Sequence, residues 1–407
     1  MAKEAVFGTA VTPTTFEPFE ACTLEAEPGT FSPKVMFGQR DEQAYMMQGE
    51  SKYTGNVEGP LFPVNGIPLL VAAIGYDGGS ATMPGGAAVT QGNGVTGTNG
   101  NTKNGTIGVI AAGVTSVTYT AVTGGAPVVG DIFQFDVNLA STTTAEVRKV
   151  TAVSGIGPYT LTLDVATNFA HAAAAPAKNV VAPFTHTIFQ SNLLPSLTIE
   201  KNLANKQSQQ FYGCRVSKFN LKMAVGETPA LFTADIVALG VNTLDSPSAI
   251  AVDSTIPFNF ANATLTNPFT SDAVTQATGI QIDLDNGIKP TYTFSGGHGP
   301  KFITPVSRKV AGNFSVVFDS LDDSTWGYQT FMSNQTQGNL VLNLLQPAGL
   351  GSNQVQITLS QINLIKDPIA PKFGEVLMEQ VDFTGSLKLS TMTTVGAVIA
   401  NSIYLPY

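Results

Sequence analysis

Ile280-Gln281-Ile282-Asp283-Leu284-Asp285 alternates apolar and polar side chains without a break. A period of two puts Ile280, Ile282 and Leu284 on one side of a β-strand and the polar residues on the other. Such a strand packs one face on a core and turns the other to solvent or to a neighbour. The alternation recurs in Thr160-Leu161-Thr162-Leu163-Asp164-Val165, in Phe219-Asn220-Leu221-Lys222-Met223 and in Val355-Gln356-Ile357-Thr358-Leu359-Ser360. With 40 Gly and 24 Pro to mark turns between such runs, the chain reads as mainly β.

Two segments depart from this pattern. Leu61 to Gly75 fits a short buried helix, with Pro68 in its first turn and Gly75 at its C-terminal end. Ser320 to Ser333 fits a second, with Ser320 or Asp322 as cap and an acidic first turn that suits the helix dipole. Gly55-Asn56-Val57-Glu58-Gly59-Pro60 precedes the first, and Gly312-Asn313-Phe314-Ser315-Val316-Val317-Phe318 the second. A long polar stretch lies upstream of each, Phe37 to Thr54 and Gly296 to Ala311. Downstream of each come two strands separated by a Pro-containing loop, about Val216–Met223 with Ala230–Ala238 and about Val355–Ile365 with Glu375–Leu389. This order predicts one β-rich unit used twice. Identity between the copies is weak, so the prediction rests on order.

A repeat requires an insertion in the first copy. Gly75 to Gly105 is rich in Gly, Thr and Asn, as a linker or loop is. Strand signals then run from Ile107 to Val165, and the Ala/Pro-rich piece His171 to Pro183 returns to the first unit. The expected organisation is a first unit over 1–87 and 182–250, an inserted β domain over 88–181, and a second unit over 251–407.

The composition excludes several classes. Charged residues make up 12% of the 407 residues, against about 25% in ordinary soluble domains. No uninterrupted apolar run of about 18 residues offers a transmembrane helix. Met1-Ala2-Lys3-Glu4-Ala5 lacks the basic and apolar regions of a signal peptide, so the chain is expected to stay in the cytoplasm where it is made. A net charge of -9 disfavours tight binding to phosphate backbones. A folded chain with so little charge is expected to be covered in part by copies of itself.

No constellation for catalysis emerges. His171, His186 and His298 show no metal-ligand spacing; His186 reads as a strand residue and His298 as a loop residue. Gly92 to Gly105 lacks the G-K-[ST] ending of a phosphate loop. Asp131, Asp136, Asp164 and Asp283 sit at alternating strand positions, where solvated faces are the default. Cys22 and Cys214 read as small apolar residues in strands, with no disulfide expected. The chain is therefore expected to be no enzyme, with no cofactor and no metal. Two stretches stand out as subunit contacts: Gly38 to Glu50, with Arg40, Asp41, Glu42, Tyr45, Met46 and Met47, and the basic stretch with Lys301, Arg308 and Lys309. Tyr and Met are enriched at protein interfaces.

The run Lys3-Glu4-Ala5-Val6-Phe7-Gly8-Thr9-Ala10-Val11-Thr12-Pro13-Thr14-Thr15-Phe16 resembles the opening of bacteriophage tail tube (major tail) proteins. The charged loop, Gly55 to Pro60 and the helix ending at Gly75 follow in the same order. Leu194-Pro195-Ser196-Leu197-Thr198-Ile199-Glu200 and Phe211-Tyr212-Gly213-Cys214-Arg215-Val216 continue the likeness. It covers 1–87 and 182–407, while 88–181 departs from the pattern and looks like an added surface domain. The resemblance implies two β-sandwich or barrel-like units, each with a short helix, in a structural virion protein. Such proteins form rings that stack into a tube for DNA ejection, with long loops reaching the next ring, here Arg40 to Met47 and Lys301 to Lys309. The implied partners are the chain itself and other tail proteins at the tube ends. DNA would pass through an acidic lumen without specific binding, and no membrane is involved. The implied location is the virion tail, assembled in the host cytoplasm. Two units per chain favour three chains per ring with pseudo-sixfold symmetry, and six chains per ring is the alternative. A competing reading is a carbohydrate-binding surface or capsid-decorating β protein, which calls for exposed aromatic platforms; the single Trp, Trp326, falls in a predicted helix.

Overall fold

A computed structural model of the chain describes residues 1–32, 46–77, 80–82, 88–90, 95–136, 145–203, 206–226, 229–249, 255–269, 273–274, 276–294, 297–317, 332–346, 352–366, 378–405 and 407. The N-terminal part supplies β1 (Ala2–Lys3), β2 (Ala21–Cys22), β3 (Glu25–Phe31), β4 (Met47–Pro60), α1 (Ile67–Ile74) and β5 (Gly75–Asp77). Next come β6 (Ser80–Thr82), β7 (Ala88–Thr90), β8 (Val95–Ile107), β9 (Ser116–Thr123), β10 (Ile132–Phe135), β11 (Glu146–Ser154) and β12 (Tyr159–Leu163). β13 (Ala175–Gln190), β14 (Leu197–Leu203), β15 (Gln207–Ala224), β16 (Leu231–Val237) and β17 (Gly240–Leu244) follow. The C-terminal part holds β18 (Ala263–Thr266), β19 (Ala277–Asp285), β20 (Ile288–Thr291), β21 (Phe302–Pro305) and β22 (Lys309–Val317). It ends with β23 (Gly338–Leu345), β24 (Gln354–Lys366), β25 (Met378–Gly385) and β26 (Val395–Asn401). The architecture is mainly β and antiparallel.

One pairing plan occurs twice. β14 and β17 flank the first half of β15, β16 flanks its second half, β16 pairs with β4, and β4 with β3. β23 and β26 flank the first half of β24, β25 its end, β25 pairs with β22, and β22 with β19. The irregularities recur as well. Register shifts between Leu197 and Ile199 and between Val216 and Lys218 in one half. It shifts between Gly338 and Leu340 and between Leu364 and Lys366 in the other. A β-bulge re-aims every side chain after it, so two bulges at matching places tie the two registers residue by residue. Lys218 then matches Lys366, Asp235 matches Asp382, Asn56 matches Asn313, and Gly55 matches Gly312. Both glycines answer the same constraint. A Cβ on Gly55 would lie 2.4 Å from the Leu24 backbone, and one on Gly312 2.2 Å from the Gln281 carbonyl. Only glycine admits so close a neighbouring strand.

The two halves join where β19 pairs with the second half of β15, from Lys218↔Asp285 to Ala224↔Gly279. The result is one continuous path, β3-β4-β16-β15-β19-β22-β25-β24. A second junction pairs β13 with β26, from Phe184↔Asn401 to Ile188↔Ala397. The shared core lies between. It takes Phe211, Phe219, Phe232, Phe314 and Phe383 from the strands and Ile67, Leu69, Leu70 and Ile74 from α1. Each such side chain contributes about 1.5–3 kcal/mol when fully buried. The helix forms where expected, with Pro68 in its first turn and Gly75 at its C-cap.

A separate core cluster draws only on residues between Ile107 and Ala177. It is built on Tyr119, Phe133, Phe135, Val150 and Leu161. β13 links the two clusters, with Ala175 and Ala177 in this one and Ile188 in the large one.

Several expectations need correction. The Gly/Thr/Asn-rich segment through Gly105 is not a linker throughout, because Val95–Ile107 is a strand paired along β13. Backbone hydrogen bonds make that ladder, and small side chains do not prevent it. Met47 to Thr54 is strand rather than polar loop, held by β3. Most of the second predicted helix, with Trp326, lies outside the described residues; Met332 and Ser333 are helical. Among the described residues no helix is long and apolar enough to cross a membrane.

Candidate functional site

The continuous path has one buried and one open face. Alternation sends Val57, Ile236, Phe219, Ile282, Phe314 and Phe383 into the core. The residues between them form a polar surface crossed by rows of side chains in register. One row runs Glu58, Thr233, Asn220, Asp283, Ala311, Thr384, Asn363, through seven strands. Beside it runs Asn56, Asp235, Lys218, Asp285, Lys309. Towards the ends of the path Glu27 stands opposite Lys52, and Lys366 opposite Asp382. Directly opposed residues have Cβ atoms about 4.5–5.5 Å apart, close enough for opposite charges to interact.

The electrostatics of this face follow from the rows. Opposite charges alternate along Asp235, Lys218, Asp285 and Lys309, so each lysine there stands opposite an aspartate. Burial pushes the Asp235 carboxyl above its usual range; Lys218 opposes this, while Asp285 and Glu58 add to it. Side-chain amides hold other carboxylates in place. Asn220 Nδ2 donates to Asp283 Oδ1, and Gln281 Nε2 donates to Asp283 Oδ2 at 3.1 Å. Asn56 Nδ2 donates to Glu58 Oε1 at 2.8 Å. Across the face, Glu25, Glu27, Glu58, Asp235, Asp283, Asp285 and Asp382 outnumber Lys52, Lys218, Lys222, Lys309 and Lys366. Such a surface is hydrophilic and mildly acidic.

Both halves extend a β-hairpin arm from this path. The first continues β3 and β4 from Pro28↔Ser51 to Phe31↔Met47. The predicted contact residues Arg40, Asp41, Glu42 and Tyr45 lie outside the described residues. Met46 and Met47, at the outer end of its described part, are 73% and 55% exposed. The second arm is the β20–β21 hairpin, from Ile288↔Pro305 to Thr291↔Phe302. Lys301 on it is exposed; Lys309 is exposed too but starts β22, in the polar row opposite Asp285. The arms touch each other: Ser51 N donates to His298 O at 2.7 Å, and Tyr292 Oη donates to Ser51 O at 3.3 Å.

Arg308 is placed differently from its neighbours. Its guanidinium donates to Asn286 Oδ1 at 3.0 Å and to the carbonyls of Ile74 at 2.9 Å and Ser191 at 3.1 Å. It thus caps the C-terminal end of α1 and anchors the base of the second arm. Burial lowers its pKa to about 10. Exposed Phe31, Phe294 and Phe302 on the arms were missed by sequence reasoning. Aromatics within two residues of Gly, Pro or Lys were the available signal.

The histidines are structural. His186 is buried in β13, with Nδ1 2.6 Å from Asp77 Oδ2 and Nε2 2.8 Å from Ile403 O. His298 Nδ1 lies 3.1 Å from Gly49 O. His171 is buried between Asp136 and Glu146, with Nε2 2.6 Å from Glu146 Oε1, and Glu146 also pairs with buried Arg148 at 2.6 Å. Burial lowers the His171 pKa, but hydrogen bonds to both carboxylates outweigh it and raise the pKa overall. Asp136 therefore corrects the solvated-face expectation: it ends β10 with φ 62°, which turns its side chain inward. Asp131 also leaves solvent, pairing with Lys103 at 2.7 Å. Cys22 and Cys214 are free thiols. Among the described residues no group of three or more His, Cys, Asp or Glu is arranged to hold a metal ion.

A polar sheet face, paired arms and a repeated strand plan describe a building block. Comparison with known proteins agrees. No curated protein matches the chain. Residues 1–385 match the family described as phage tail tube protein. That span takes in both arms and the whole continuous path, and the chain belongs to the phage tail tube protein family, as a structural component of the virion tail.

Proposed function

We propose that three copies of this chain close into a ring of six similar units, and that rings stack into a tube through which DNA leaves the virion. The observation that carries this reading is the recurring pairing plan. Each chain holds two units already joined edge to edge at β15 and β19 in the way ring neighbours would join. A head-to-tail junction that turns by about one sixth of a circle per unit closes after three chains.

The polar face of the path lines the lumen. DNA phosphates meet an excess of carboxylates and amides there, and most lysines stand opposite a carboxylate, so little counterion release drives binding. The two arms reach the adjacent ring, with Arg40, Asp41, Glu42, Tyr45, Met46 and Met47 assigned to one and Lys301 to the other; Arg308 holds the base of the second, and Lys309, in β22, belongs to the polar face. Residues 88–181 form a decoration outside the tube, supported by a core cluster of their own. Other tail proteins meet the tube at its ends, and assembly takes place in the host cytoplasm. Electron microscopy of purified protein at high concentration tests the reading. Rings of three chains with pseudo-sixfold symmetry are expected; six chains per ring would overturn the trimer, and monomers alone would overturn the tube.

A further inference from the structure

We infer that the open edge of β3 is the socket for the next copy of the chain, and that the end of β24 is the plug, with Glu27 of one copy opposite Lys366 of the other. The inference rests on the ring reading above and adds the strands and the register of the junction.

The template lies inside the chain. β16 and β17 are consecutive and share one edge of β15, so β14 and β19 share the other. β14 covers that edge down to Cys214, and β19 takes over at Lys218. On β24 the matching edge is covered by β23 down to Ile362. Beyond it, through Lys366, that edge carries no strand among the described residues. Ile365 there is 60% exposed. Yet Lys366 has the same environment on its other side as Lys218: a bulge just before it and an aspartate, Asp382 or Asp235, directly opposite.

The other half of the junction is equally specified. β19 sits between β22 and β15, whereas among the described residues β3 pairs with β4 alone. An open edge of this kind invites another strand. Lys309 faces Asp285 as Lys52 faces Glu27, so Glu27 matches Asp285 and Glu25 matches Asp283. Glu25 and Glu27 are exposed. Transferring Lys218↔Asp285 to these positions gives Lys366↔Glu27. Pro28, which has no N–H to donate, falls one residue beyond the transferred pairing. The contact is heterologous, since plug and socket are different surfaces, so it propagates around a ring rather than stopping at a dimer.

The test is disulfide trapping in the full chain on a Cys22→Ser background. Glu27→Cys with Lys366→Cys should give covalent multimers on a non-reducing gel after mild oxidation of assembled protein, and neither single variant should do so. Lys218→Cys with Asp285→Cys serves as the control and should close within one chain. Charge reversal is an independent arm. Glu27→Lys should raise the concentration needed for assembly by about two- to fivefold, as expected for an exposed pair, and adding Lys366→Glu should restore it. Rings or tubes that form normally but give no cross-link, while the control closes, would overturn the junction and leave the tube standing. Protein that never assembles would overturn both.

Discussion

Lys218 of β15 stands directly opposite Asp285 of β19 and, on its other side, directly opposite Asp235 of β16. This lysine lies on the seam where the halves of the chain become one sheet, yet its charge is exposed and its stabilising role small. The strength of the seam comes from the residue after it. Phe219 is 1% exposed and stacks on Phe232, with ring centroids 5.8 Å apart and planes within 4°. Phe219→Ala should destabilise the protein by about 3–5 kcal/mol, as large-to-small core substitutions do. Lys218→Ala should cost less than about 1 kcal/mol. Chemical denaturation of both variants checks the contrast; equal losses would mean that charge holds the seam.

The buried group around His171 predicts a pH dependence. Its pKa is raised in the folded state above the ordinary 6.5. The stabilisation is therefore fully present below pH about 6.5 and is lost as pH rises through the higher folded value. Hydrogen exchange of β10 and β11 should accelerate as pH is taken upward through that window, after correction for intrinsic exchange. His171→Gln should remove the excess acceleration. It should also destabilise this part of the chain by about 3–5 kcal/mol, because Asp136 and Glu146 lose a buried cation.

Arg308 gives a prediction of a different kind. It satisfies the last carbonyl of α1 and a carbonyl beyond β13 with one planar fork. Arg308→Met keeps the apolar stem but removes the donors to Asn286 Oδ1 and to the Ile74 and Ser191 carbonyls, at a cost of about 1–3 kcal/mol. Arg308→Lys should recover little of it, since a single ammonium cannot span the same three acceptors. Thermal melting of the two variants decides; full recovery by lysine would mean that charge alone is needed.

Much of the architecture was legible because strand faces advertise themselves. Ile280 to Asp285 and Val355 to Ser360 form strands with the predicted faces, and Pro68 and Gly75 bracket α1. The matching of Gly55-Asn56 with Gly312-Asn313 was visible as order, and the bulges place those residues at the same register. Less legible were features made by the backbone or by distant partners. Val95–Ile107 pairs through its backbone, so its composition pointed to a loop. Asp136 looked solvated because alternation ignores a positive φ at a strand end. Arg308 looked like one more basic loop residue, since nothing nearby in sequence reveals that Ile74 lies 2.9 Å from it.

The arms separate ring formation from stacking. Met46 and Met47 are exposed, and substitutions there should change the stability of the isolated chain by no more than about 0.5 kcal/mol. Met46→Asp with Met47→Asp introduces charge where the next ring is proposed to sit. Negative-stain images should show rings that no longer stack into tubes. Tubes of normal length would remove these residues from the stacking contact.

The direction of the polar face can be read chemically. If it lines the lumen, a thiol in the middle of it becomes enclosed when rings stack, although it is open in the free chain. Asn220 is half-buried at the centre of the longest row, and Ile156, at 97% exposed, lies on the hairpin between β11 and β12. On a Cys22→Ser background, Asn220→Cys and Ile156→Cys should both react with a small maleimide and with one carrying a large polymer while the protein is unassembled. After assembly, Ile156→Cys should still accept both. Asn220→Cys should lose reaction with the polymer while keeping reaction with the small reagent, which diffuses through an open tube. A buried ring contact at Asn220 would block both reagents, and an outward-facing sheet would block neither. Each placement of the face thus gives a different pair of rates.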